Sequence, residues 1–224
     1  MLAFFLYSLK YSLFNPFLDY KQFVFTQLFL QPPSDRAATV KLAETPNLFA
    51  EIRQPSTSYI AIPTVSSERR KYLTVGFLDE KTIASNQIYI VPNANLFHFG
   101  LLSSYIHMLW VRAVCGQLET RIRYSAAICY NNFPIELDLI SDELFKDIEG
   151  ASLDILSIRE SYPDKTLAKL YDPELMPDNL VFAHGKLDKL VNKIYSKSPI
   201  NSDEESIQIL FDLYEKMTGV GQNA

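Results

Sequence analysis

The alternation of apolar and polar positions divides the chain into a strand-rich part and a helix-rich part. Between residues 52 and 92, short apolar runs are bounded by Pro, Gly, Asn or Ser, which predicts strands at residues 58–62, 71–75 and 87–91. A helical period over residues 101–114 follows, with Gly116 where a C-terminal cap is expected. Residues 119–124 alternate again and predict a further strand.

Beyond Pro134 the pattern predicts helices only, at about residues 141–161, 165–171, 178–196 and 202–218. Prolines separate these segments, and Asn201-Ser202 supplies an N-cap for the last of them. The expected fold is therefore α+β: a mixed-sheet domain followed by a small all-α C-terminal domain.

The first thirty residues are rich in apolar and aromatic side chains and raise the question of a membrane anchor. Lys10, Asn15-Pro16, Asp19 and Lys21 interrupt the run well below the roughly 20 apolar residues that a spanning helix needs. We therefore expect no membrane partner and take residues 1–34 as an apolar segment that packs on another domain. Pro32-Pro33-Ser34-Asp35 marks its end, and residues 35–44 have helix-compatible spacing.

Charge is distributed unevenly along the chain. The total is −5, but residues 50–134 carry +3 and residues 135–224 carry −9. This asymmetry indicates that any phosphate-facing surface lies in the middle of the chain, with the last ninety or so residues turned away from nucleic acid. Cys115 and Cys129 have neither metal-like nor redox-like spacing, so we expect two reduced thiols in a cytoplasmic protein.

Several kinds of catalytic or cofactor site find no support in the sequence. The seven glycines are scattered and form no phosphate or cofactor loop, and the three histidines lack metal-ligand spacing. We therefore predict no catalytic, cofactor-binding or metal-binding residue. Residues 131–134, Asn-Asn-Phe-Pro, lack the adjacent prolines of the turn with which amino-methyltransferases hold an amine, and a structural turn is the better interpretation.

Two charged segments are candidates for DNA contacts. Glu119, Arg121 and Arg123 would lie on one face of a strand, where Glu can accept from cytosine and Arg can donate to guanine. Ser66, Ser67, Arg69, Arg70 and Lys71 form the densest basic cluster, in a loop that could hold phosphates. From spacing alone, a solvated strand face with an internal ion pair and a solvated loop are the favoured interpretations of these two segments.

Long segments of the chain resemble the C-terminal region of MmeI-like restriction-modification enzymes. The matching segments include Ile62-Pro-Thr-Val-Ser-Ser-Glu-Arg-Arg-Lys-Tyr72, Met108-Leu-Trp-Val-Arg-Ala-Val-Cys-Gly116, Arg123-Tyr-Ser125, Tyr130-Asn-Asn-Phe-Pro134 and Leu170-Tyr-Asp-Pro173. They follow the family order across residues 35–218. The resemblance implies a DNA target-recognition domain at residues 35–137 and a helical C-terminal domain at residues 138–224.

The resemblance also assigns roles to individual residues. Two alternating positions before the Arg-Tyr-Ser segment discriminate one base pair in the family, and they match Glu119 and Arg121. Arg123, Asn86 and Gln87 resemble further recognition positions.

The family's activity, methylation of adenine in double-stranded DNA from S-adenosylmethionine, needs a catalytic domain whose motifs are not found in this sequence. The chain alone is therefore expected to be inactive and to bind no cofactor. Its catalytic partner lies in cis in the family and could act in trans here. Two alternatives stay open: a stand-alone specificity subunit for a separate methyltransferase, and a non-functional membrane-associated remnant.

Overall fold

The computed structural model describes residues 54–219, together with Ala37 and Lys41, which are exposed helical positions. The apolar segment 1–34 and most of the predicted helix at residues 35–44 lie outside the described residues. Residues from Gln54 onward form one compact unit. No helix in the described part is long and apolar enough to cross a membrane.

The strands form two small antiparallel sheets. The first has the order β3-β1-β4, from β3 (Gly76–Leu78), β1 (Tyr59–Pro63) and β4 (Ile88–Pro92). The second has the order β2-β6-β5, from β2 (Val65–Ser66), β6 (Arg121–Arg123) and β5 (Gly116–Leu118). The α+β class is confirmed, and the single mixed sheet is replaced by two sheets in which all described pairs are antiparallel.

Six α-helices complete the described unit. They are α1 (Leu96–Ser103), α2 (Tyr105–Val114), α3 (Asp142–Glu160), α4 (Leu167–Leu170), α5 (Asp178–Tyr195) and α6 (Asp203–Thr218). A π-helical turn at Ala126–Tyr130 and a 3₁₀ turn at Leu137–Leu139 connect the second sheet to α3. The four C-terminal helices are confirmed, and Ser202 caps α6 by accepting from the Glu205 amide.

The single helix predicted at residues 101–114 is wrong, because the chain breaks at Ser104. This residue has extended backbone angles and serves both as the C-cap of α1 and as the N-cap of α2. Its hydroxyl donates to the Leu101 carbonyl and accepts from the His107 amide. These two hydrogen bonds of one side chain satisfy a carbonyl at the end of α1 and an amide at the start of α2. The predicted cap, Gly116, instead begins β5.

The strand predicted at residues 71–75 is also wrong. Tyr72, Leu73 and Val75 are buried, as the apolar pattern requires, but they have no ladder partner within the described strands. The Val75 carbonyl accepts from Arg159 Nη1 of α3 at 2.8 Å. A side chain of α3 therefore provides the hydrogen-bond donor that a neighbouring strand would provide in a sheet.

A buried polar network joins the helices to the sheets. Arg159, which is 8% exposed, donates to the Tyr171 hydroxyl, and this hydroxyl in turn lies 2.7 Å from Nε2 of His184. Since Arg can only donate, the phenolic proton is free to go to His184. The His184 ring stacks on Tyr72 at 4.0 Å between centroids. The helical part is thus packed against the sheet part through a single continuous core.

Candidate nucleic-acid interface

The tight hairpin β5–β6 presents the charged residues that the sequence singles out. Leu118 pairs with Arg121, so Glu119 and Thr120 alone form the connecting turn. Glu119 therefore lies in the turn and not in the strand, which corrects the predicted alternation. Arg121 and Arg123 are in β6 with Ile122 buried between them, so these two share the exposed face as predicted.

The Glu119 carboxylate and the Arg121 guanidinium are close neighbours at the end of this hairpin. Glu119 Oε2 lies 3.5 Å from Arg121 Nη2, and the two side chains are 75% and 59% exposed. An exposed pair of this kind contributes between zero and about 1 kcal/mol. The internal ion pair considered from the sequence is therefore present, and it is weak enough for an incoming ligand to replace.

Thr64 brings the second predicted recognition segment to the hairpin. Its amide donates to the Gln87 carbonyl at 2.9 Å, and its own carbonyl accepts from the Tyr124 amide at 2.9 Å. Its hydroxyl donates to Gln87 Oε1 at 3.1 Å. One residue between β1 and β2 thus links the exposed loop of Asn86 and Gln87 to the end of β6. Sequence reasoning did not identify Thr64, and the preceding Pro63 is the only local signal of a bend there.

The basic loop is more engaged with the helical part than its sequence suggests. Arg69 Nη2 lies 2.5 Å from Glu174 Oε1. Burial lowers the pKa of half-buried Arg70, and the nearby Asp172 carboxylate opposes that shift. The Lys71 ammonium lies 4.9 Å from the centre of the Tyr105 ring. These three cations therefore belong to one surface, shared by the loop and the helices.

Ser66 does not fit the phosphate contact predicted for it. It lies in β2 and is 2% exposed, so its hydroxyl faces the interior. Ser67 is partly exposed, but its hydroxyl accepts from the Arg69 amide at 3.3 Å and shapes the loop.

Residues Asn131 to Pro134 have structural contacts. Asn132 Nδ2 donates to the Ala127 carbonyl, and the Pro134 carbonyl accepts from the Tyr195 hydroxyl. Phe133 packs edge-on against His107 at 4.6 Å. These contacts fit a structural turn. Asn131 also lines a cleft of about 320 Å³ between β4 of the first sheet and the π-helical turn, together with Tyr89, Tyr124 and Tyr130.

The state of the two cysteines differs from the one predicted from the sequence. Cys115, the C-cap of α2, and Cys129, in the π-helical turn, form a disulfide with their Cα atoms 6.2 Å apart. The prediction of two reduced thiols is thus wrong for this structure. The bridge joins the two ends of the segment that contains the β5–β6 hairpin. Its separation of 14 residues matches no short cysteine motif.

The described residues contain no cluster of three or more His, Cys, Asp or Glu side chains that could hold a metal ion. Two of the histidines, His107 and His184, are fully buried in the core.

The molecule is thus an α+β module whose charged hairpin and adjoining polar loop are supported by a helical layer. Two family models match it: the MmeI target recognition domain at residues 29–137 and the MmeI C-terminal domain at residues 140–220. The chain therefore belongs to the MmeI family, of which it spans the target recognition and C-terminal domains.

Two relatives agree with this assignment. DNA methyltransferase A of Bacillus subtilis (strain 168) is 44% identical over 180 residues, which are 80% of this chain and 20% of that protein. The structure of the Type IIL restriction-modification enzyme MmeI in complex with DNA aligns with a TM-score of 0.79 and 43% identity, over 87% of this chain and 26% of that one. The chain thus spans a fifth to a quarter of these relatives' lengths.

Proposed function

We propose that this chain recognises a short sequence in double-stranded DNA on behalf of an adenine-specific DNA methyltransferase of the restriction-modification type. The observation that carries the proposal is the exposed hairpin, on which Glu119, Arg121 and Arg123 lie beside the Asn86-Gln87 loop. The family membership and the DNA complex of MmeI support it.

The Glu119 carboxylate and the Arg121 guanidinium, at the end of the hairpin, discriminate between bases. Glu119 accepts a hydrogen bond from the cytosine amino group, and Arg121 donates to O6 and N7 of guanine in the major groove. Together they suit the two partners of one G·C pair. DNA binding replaces their mutual contact, at a cost limited by the high exposure of both side chains. Arg123, Asn86 and Gln87 add contacts to neighbouring base pairs.

Phosphate contacts belong to the exposed side of the basic loop. Ser67, Arg69, Arg70 and Lys71 hold the DNA backbone, whereas Ser66 is left out because it is buried. Arg69 can exchange Glu174 for a phosphate, since an ion pair between exposed side chains is only marginally stable. These contacts supply affinity that is independent of sequence and sensitive to salt.

The methylation step belongs to a catalytic module that acts in cis or in trans. That module takes the flipped adenine and S-adenosylmethionine, which supplies the methyl group. No step of this chemistry is assigned to this chain's residues. We propose the cytoplasm as the place where the protein meets this DNA.

The test is selection of binding sites from randomised duplex DNA. The full chain is compared with the double variant Glu119→Lys, Arg121→Asp. We expect the wild type to enrich a short motif and the variant to enrich the same motif with one G·C pair reversed. The matched control, Glu136→Lys with Lys216→Glu, reverses another surface ion pair (2.8 Å) and should leave the motif unchanged. A variant motif identical to that of the wild type, or no enrichment by the wild type, would contradict the proposal.

A further inference from the structure

A groove between α3 and α5 concentrates positive charge on the acidic part of the chain. It has a volume of about 590 Å³ and is lined by Lys146 on α3 and by Lys186, Lys189 and Lys193 on α5. Residues 135–224 carry a net charge of −9 and contain eight lysines, and four of these eight line this one groove. Such a local reversal of sign is an electrostatic footprint for an anion.

The lysines are largely available for a ligand. All four are exposed. Lys186 pairs with Asp154 at 2.9 Å, whereas Lys146, Lys189 and Lys193 make no ion pair with any other residue that the structure describes. Two carboxylates, Asp147 and Asp154, also line the groove, so the side chains there carry a net charge of +2.

The spacing of these lysines suits a chain of phosphates. Lys186, Lys189 and Lys193 are three and four residues apart, which places them on one face of α5 over about 10 Å of helix axis. One strand of DNA carries a phosphate about every 3.4 Å along the duplex axis, so this face is long enough to meet about three of them. Lys146 adds a cation from the opposite wall.

The types of residue that line the groove favour nucleic acid over a protein as its partner. Lysine is depleted from protein–protein interfaces, whereas flexible ammonium groups are ordinary contacts of DNA phosphates. The only non-polar side chains that line the groove are Ala151 and Leu190, and Gly150 has no side chain. Charged side chains therefore make up most of the lining, six of the nine residues that form it.

We infer that this lysine groove binds the phosphodiester backbone of duplex DNA, as a second electrostatic contact besides the basic loop. The inference rests on the proposed function and extends it to the helical domain. It also revises the expectation that the acidic region is turned away from DNA.

The experiment measures how the affinity of the full chain for one duplex depends on salt. The groove variant is Lys186→Gln, Lys189→Gln, Lys193→Gln, and the control with the same change of net charge is Lys165→Gln, Lys169→Gln, Lys197→Gln. None of the control lysines lines the groove. Circular dichroism of each variant verifies that its helices are intact.

We expect the groove variant to reduce the slope of log K against log salt by about 2 to 3, since each phosphate contact contributes about 0.9. The control should keep the wild-type slope. Asp154→Asn, which removes the partner of Lys186, should bind DNA more tightly than the wild type. Its control is Asp164→Asn, in an exposed turn outside the groove.

A wild type that binds DNA, with equal slopes for the groove variant and the control, would overturn the groove inference alone. A wild type that fails to bind duplex DNA even at low salt would overturn the proposed function and the groove together.

Discussion

Glu119 has a backbone conformation that its side chain disfavours. Its φ is +58°, and it is the first of the two residues in the β5–β6 turn, where hairpins with a positive φ at this position usually have Gly. A non-glycine residue held there costs on the order of 1–3 kcal/mol. The ion pair of Glu119 with Arg121 returns at most about 1 kcal/mol to the hairpin, so a carboxylate at this strained position fits the proposed role in binding better than a role in stability.

The strain at Glu119 can be measured by comparing two truncations. We predict that Glu119→Gly is more stable than Glu119→Ala by about 1 kcal/mol, because alanine retains the Cβ that opposes a positive φ. Urea unfolding of both variants measures the difference. At Thr120, whose φ is not positive, the order should be the reverse, with Thr120→Gly the less stable of its pair. Equal stability of the two Glu119 variants would show that the turn is not strained.

At the scale of single elements, the sequence predicted what is decided locally. Helices α3, α5 and α6 are predictable because each has an amphipathic period together with a proline or an N-cap that sets its limits. Strands β1 and β4 were found because their apolar residues are bounded by turn residues. The exposed strand face of Arg121 and Arg123 is also predicted from alternation, and the structure agrees; contact of these residues with DNA stays a prediction.

The sequence predictions are wrong where the structure depends on contacts between residues far apart in the sequence. The segment 71–75 is extended and buried, but its carbonyl partner is Arg159, which is 84 residues away from Val75. No local pattern shows that Thr64 would join Gln87 to Tyr124, or that Cys115 would meet Cys129. Alternation places Glu119 in a strand because a pattern of polar and apolar residues does not reveal where a tight turn lies.

The contact between α1 and α3 depends on a glycine. A Cβ on Gly100 would lie 2.5 Å from Ser152 Oγ and 2.7 Å from Ile148 Cγ2, both side chains of α3. These two α3 residues are fully buried. The close approach lets α3 pack on α1, and through it the helical part supports the sheets.

We predict that Gly100→Ala destabilises the protein by about 1–3 kcal/mol, the usual range for overpacking. Gly185→Ala is the control, since a Cβ there meets nothing within 4 Å, and it should stabilise α5 by up to about 1 kcal/mol. Thermal unfolding measures both changes. If Gly100→Ala is neutral or stabilising, the two helices do not approach as closely as described.

At the scale of the whole described unit, polar contacts between the helices and the sheets complement the apolar core. Arg159 donates to the Val75 carbonyl, and Asp188 accepts from the Tyr72 hydroxyl at 2.9 Å. Because each contact crosses from the helical part to the sheet part, the two should unfold together. The β5–β6 hairpin is attached to this unit through the pairing of β6 with β2, and a hairpin positioned before any ligand arrives lowers the entropy cost of binding.

This core also contains two groups that make stability depend on pH. Burial lowers the pKa of His107 to about 3, and burial with the nearby Arg159 lowers the pKa of His184 to about 3. Below the ordinary pKa of 6.5, the two histidines become protonated in the unfolded chain but stay neutral in the folded core. The neutral rings therefore contribute stability at pH 7 that is lost as the pH falls from about 6.5 toward 3.

We predict a loss of about 1.4 kcal/mol per pH unit for each of the two histidines over this window. Asp188 acts in the opposite direction, since burial raises its pKa and so favours its protonated form in the folded state. Urea unfolding at several pH values between 7 and 5 measures the slope, which His107→Phe should reduce by one histidine's share. Tyr195→Phe is the control, since it removes a partly buried hydrogen bond but no group that titrates in this range. Burial raises the pKa of Tyr195 above its ordinary value of 10.0, so the slope of this variant should equal that of the wild type. If His107→Phe keeps the full slope, His107 is accessible to protons in the folded protein and does not contribute to the acid sensitivity.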